Sequence, residues 1–128
     1  MELKPYQQQV INDLSMFLEN VQQTKDIREA FHTFWSAHPR TPLHPFAGSA
    51  IEPYKNNVPR VPHICMKVPT AGGKTFIACN ALKTICDSFA YDKLKAVMWL
   101  VLSITILEQT IRNLKDPSHP YRQKIELV

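Results

Sequence analysis

The sequence predicts an α/β domain built on a parallel sheet, and three observations predict it. Two short apolar runs, residues 64–68 and 96–102, have the unbroken aliphatic texture of strands buried on both faces. Each is followed by a segment whose apolar residues recur at helical spacing. Two glycines, Gly72 and Gly73, mark a turn where the first run meets its helix. The order helix, helix, connection, strand, helix, strand, helix belongs to parallel α/β architecture. Two or three strands are few for such a sheet, which needs both faces covered. The expectation is therefore the N-terminal part of a larger domain, spanning residues 1–128.

The elements follow in order. Residues 5–22 place Val10, Ile11, Leu14, Phe17, Leu18 and Val21 on one stripe, and Pro5 suits a first helical turn. Residues 26–37 repeat the pattern with Ile27, Ala30, Phe31, Phe34 and Trp35, behind Asp26 as N-cap. From 38 to 62 six prolines interrupt the chain, which predicts a long irregular connection. After the first expected strand, a helix is predicted over 74–89. After the second, Ser103 caps a helix over 104–114 with Ile104, Leu107, Ile111 and Leu114 on one face. The chain then turns polar through residues 116–120, and 124–128 reads as the start of another strand.

Composition narrows the class. The 128 residues are 45% apolar and 20% charged, as in ordinary soluble domains. Fifteen Lys and Arg against eleven Asp and Glu make the chain mildly basic, which permits a polyanionic partner without requiring one. Residues 1–18 lack an apolar signal core, and the longest apolar run is too short to span a bilayer. Cys65, Cys79 and Cys86 are an odd number without a CxxC pair. They read as reduced core residues of a cytoplasmic protein, not a disulfide framework or zinc site. Of the five histidines, His38, His44 and His119 sit beside prolines and match no ligand spacing. Trp35 and Trp99 read as core, and Lys55, Arg60 and Lys67 as solvated surface.

The chemistry concentrates in Pro69-Thr70-Ala71-Gly72-Gly73-Lys74-Thr75. A strand-to-helix turn can grip phosphate because consecutive backbone N–H groups converge there and the helix N-terminus adds partial positive charge. Glycines let the backbone approach the anion. Lys74 would reach the terminal phosphates, and the Thr75 hydroxyl would take a place on Mg²⁺. The strict pattern G-x-x-x-x-G-K-[ST] is not met, since Val68 stands where its first glycine would be. The core Gly73-Lys74-Thr75 is intact.

This stretch resembles motif I of superfamily 2 helicases and translocases, written P-T-G-x-G-K-T, with Ala71 replacing the first glycine. Leu3 to Val10 resembles the glutamine motif of the same superfamily, in which an aromatic residue packs near the base and a glutamine reads the adenine edge. Tyr6 and Gln7 hold those places. Val101 to Thr110 is similar to motif Ia, whose strand end and helix start touch the nucleic-acid backbone; Ser103 and Thr105 are the candidates. Together these stretches most resemble the ATP-dependent subunit of type III restriction endonucleases, over residues 2–12 and 60–112. No motif covers 24–58. The resemblance implies a RecA-like phosphate-loop domain that binds ATP and Mg²⁺ through Tyr6, Gln7, Thr70, Ala71, Gly72, Gly73, Lys74 and Thr75. It also implies a motor on double-stranded DNA, with RNA an open alternative, and a modification (methyltransferase) subunit as partner.

Hydrolysis needs more than the grip. The family supplies a D-E-x-[DH] segment for metal and water and an arginine finger from a second domain. Neither occurs in these residues. The chain alone is therefore expected to hydrolyse ATP negligibly. Two other readings stand beside the motor: a truncated, non-catalytic nucleotide- or nucleic-acid-binding product, and a small kinase. The match at 103–109 speaks against the kinase.

Overall fold

The computed structural model describes residues 1–37, 54, 55, 57–89 and 95–125. Among the described residues five helices form: α1 (Pro5–Thr24), α2 (Ile27–Ala37), α3 (Lys74–Ser88), α4 (Ile104–Lys115) and α5 (Pro120–Lys124). The first four fall where spacing and capping predict them. Asp26 does cap α2, its carboxylate accepting from the Arg28 N–H at 2.9 Å and the Glu29 N–H at 3.1 Å. Ser103 caps α4, its hydroxyl accepting from the Ile106 N–H at 3.3 Å.

The predicted parallel sheet is not formed. Among the described residues there is no strand, so the α/β, RecA-like expectation is corrected to a helical chain. The two runs expected as strands, 64–68 and 96–102, belong to no element. The reason is physical. A helix closes its own hydrogen bonds, whereas a strand exists only through a neighbour that completes its ladder. Neither run has one among the described residues, and the second leaves Met98 and Leu100 each 84% exposed. The reading of residues 38–62 as irregular, and the last expected strand, fall largely on 38–53, 56 and 126–128, outside the described residues. So do His38 and His44. One element was not expected: α5, a single turn with Pro120 in its first positions and the His119 imidazole accepting from the Tyr121 N–H.

The chain divides into two compact units. One, Asp13–Lys67, has a core of Leu14, Phe17, Leu18, Ala30 and Tyr54. The Phe17 and Phe34 rings meet edge to face at 6.2 Å, and Phe31 lies 5.4 Å from Tyr54. Such pairs add about 0.5–1.5 kcal/mol each beyond their buried area. The Tyr54 hydroxyl accepts the His63 N–H. Between α1 and α2, Lys25 takes the left-handed conformation with φ 57°, the usual way a helix ends before a new direction.

The other unit, Met1–Asn12 with Val68–Val128, carries the glycine loop. Its buried apolar residues are Ile11 and the α3 set Phe76, Ile77, Cys79 and Ala81. Burial pushes the Cys79 thiol up to about 11, which makes it an inert core residue. Cys65 departs from the expected burial, since it is exposed. Within this unit α5 contacts both α3 and α4.

Candidate functional site

Pro69 to Gly72 form a tight turn closed by the Gly72 N–H donating to the Pro69 carbonyl at 3.0 Å. Ala71 is its third residue and has φ 60°. Left-handed backbone costs a residue with a Cβ about 1–2 kcal/mol, which is why glycine suits this place and why alanine stores strain here. Gly72 has no such φ, but it is crowded: a Cβ would lie 2.7 Å from Val68 Cγ1 and 2.8 Å from the Pro69 oxygen. Gly73 needs both freedoms. Its φ is 75°, and a Cβ would sit 2.5 Å from Gln7 Nε2.

Gly73 is also the N-cap of α3, whose first hydrogen bond runs from the Ile77 N–H to the Gly73 carbonyl at 3.0 Å. No side chain caps this helix and no acidic residue lies in its first turn. The first turn of α3 thus supplies no anion of its own to the opening amides or to the positive end of the helix dipole. Lys74 is exposed and Thr75 half-buried at that opening; Thr70 and Ala71 are exposed on the turn.

The loop is held from behind by the N-terminus of α1. The Gly72 carbonyl accepts two hydrogen bonds, from the Tyr6 hydroxyl at 2.8 Å and from Gln7 Nε2 at 2.9 Å. Gln7 Nε2 also donates to the Tyr6 oxygen at 3.3 Å, and Gln7 Oε1 accepts the Lys4 N–H at 2.9 Å. This last bond is half of a capping box, in which the third helical residue satisfies the amide that precedes the helix. Gln7 is 5% exposed, with both amide hydrogens committed. Tyr6 remains open to solvent on part of its ring.

Eight of the residues singled out in the sequence therefore come together: Tyr6, Gln7 and 70–75. Ser103 and Thr105 lie exposed at the start of α4, with the Ser103 hydroxyl occupied as the cap. Sequence reasoning passed over Tyr121, whose ring stacks on Phe76 at 5.9 Å and 26°. The His119-Pro120 pair, a cap followed by an N1 proline, was its available signal.

A glycine-rich turn that opens a helix on lysine and threonine is tied here to an upstream glutamine. The family is shown directly. A family model described as "Type III restriction enzyme, res subunit" matches residues 1–128, and the chain belongs to that family. No curated protein and no solved structure matches it. Among the described residues, no helix is long and apolar enough to cross a membrane.

Proposed function

We propose that this chain is the nucleotide-gripping portion of a type III restriction subunit that couples ATP to movement on DNA. One observation carries the proposal: α3 opens without a side-chain cap, behind a left-handed Gly73, with Lys74 and Thr75 leading. Backbone amides at such an opening suit the β- and γ-phosphates, Lys74 neutralises their charge, and the Thr75 hydroxyl faces the place of Mg²⁺. Thr70, Ala71 and Gly72 shape the turn around the phosphates.

Tyr6 and Gln7 have two tasks in this reading. They hold the Gly72 carbonyl, and they face the base. Reading adenine with the Gln7 amide requires a free N–H, and the 3.3 Å bond to Tyr6 is the one most easily exchanged. Ser103, Thr105 and the N-terminus of α4 would meet a phosphate of double-stranded DNA, or of RNA. Mg²⁺, DNA translocation and cleavage, a modification (methyltransferase) subunit as partner, and a cytoplasmic setting belong to the same proposal. No residue here is assigned to water activation, because the 128 residues contain no D-E-x-[DH] segment.

Calorimetric titration of the chain with Mg·ATP tests the proposal. Removing a charged donor from phosphate costs about 1.5–3 kcal/mol, so Lys74→Ala should weaken binding by about tenfold or more. Equal affinity for the two proteins would refute the phosphate reading.

A further inference from the structure

We infer that Tyr121 is a positioning residue for the phosphate loop: its ring, stacked on Phe76, seats the first turn of α3 so that Lys74 and Thr75 meet the nucleotide. This rests on the nucleotide reading of that loop and adds a residue to it. Phe76 follows Thr75 directly and is 3% exposed. Lys74, Thr75 and Phe76 share one helical turn, so whatever fixes the Phe76 ring fixes the direction of the two residues before it. The Tyr121 ring lies 5.9 Å from Phe76 at 26°, a stacked pair. Against Tyr121 in turn rests the His119 imidazole, at 4.6 Å and 74°.

The seat is stiff for a stated reason. Every backbone N–H from Asp116 to Tyr121 is hydrogen-bonded, and the two residues without one, Pro117 and Pro120, have fixed φ. Asp116 donates to the Arg112 carbonyl at 3.3 Å and His119 to the Asp116 carbonyl at 3.0 Å. The Asp116 carboxylate accepts the Ser118 N–H at 2.9 Å and its hydroxyl at 2.7 Å. The Tyr121 N–H reaches His119 Nδ1 at 3.2 Å. A five-residue helix has little stability of its own, so α5 is held by this turn and by its contacts with α3 and α4. The end of α4 is thereby joined to the start of α3 without a slack residue.

The test is Mg·ATP affinity of the whole chain, measured beside the melting temperature. Loss of one stacked pair predicts that Tyr121→Ala weakens binding by about five- to tenfold, while Tyr121→Phe, which keeps the ring, stays within about twofold of the unaltered chain. Leu18→Ala, in the core of the other unit, should lower the melting temperature and leave the affinity of the folded protein unchanged. Should Tyr121→Ala fail to fold, Tyr121→Leu takes its place, with a loss of about threefold or more expected. Unaltered affinity in the ring-less variant overturns the inference, as does an equal loss in Leu18→Ala. If Lys74→Ala loses binding while the ring-less variant does not, the positioning role fails and the phosphate reading survives. If the unaltered chain binds no Mg·ATP, both fall.

Discussion

Two stretches of this molecule share one local pattern and have opposite surroundings. In both, an extended apolar run leads into a helix, first at 64–88 and again at 96–115. The first helix, α3, is embedded: Phe76, Ile77, Cys79 and Ala81 are buried, the preceding turn is tied to Tyr6 and Gln7, and Tyr121 covers its first turn. The second, α4, buries Thr110 while Ile104, Ile106, Leu107 and Ile111 stay exposed, and Leu102 before it is fully open. Yet both are helices of similar length. A good cap and helical hydrogen bonding shape an element locally, whereas burial is a gift of its neighbours. The same difference separates a loop placed by contacts distant in sequence from candidate nucleic-acid residues on a helix whose apolar face is largely exposed.

The comparison can be broken at its strongest point first. Ile77→Ala removes a residue with 2% exposure and should cost about 2–5 kcal/mol, whereas Ile104→Ala, at 75% exposure, should stay within about 0.5 kcal/mol. Urea unfolding of both variants measures this, and equal effects would show that α3 is no better embedded than α4. Gly73→Ala comes next. It forces a left-handed alanine, costing about 1–2 kcal/mol, and drives its methyl toward Gln7. A lower melting temperature should appear, and pairing it with Gln7→Ala should recover part of the loss. Ser103→Ala is the smallest of the three. Loss of an N-cap costs about 1 kcal/mol, and the helicity of α4 seen by circular dichroism or amide exchange should fall while α3 is untouched. An unchanged α4 would mean that packing holds it after all.

The helices were legible because their signals are local. Asp26 and Ser103 announce their caps, and the stripe from Val10 to Val21 gives the period of α1. The strands were not, because Ile64 to Val68 and Ala96 to Leu102 carry the right texture without the partner that would make them a sheet. The loop residues 69–75 were legible as contiguous chemistry. The tie that holds them was not, since Gln7 and Gly72 are 65 positions apart and no spacing rule joins them. Gln7 was expected to face adenine, and here its amide first serves the protein. Helix α5 was missed because one turn offers no periodicity, and only Pro120 behind a capping His119 marked it.

The doubly bonded Gly72 carbonyl has a further consequence. A trans peptide holds its C=O and N–H in one rigid plane, pointing to opposite sides of the C–N bond. Anchoring the oxygen at Tyr6 and Gln7 therefore aims the N–H of Gly73 the other way, out from α1. Glycine linkages such as Gly72–Gly73 are the ones most free to flip over, and a flip would present oxygen where an anion needs hydrogen. The tyrosine and glutamine thus act as a latch on the polarity of a single amide, and under the proposed nucleotide reading that amide would already face the phosphate with its hydrogen.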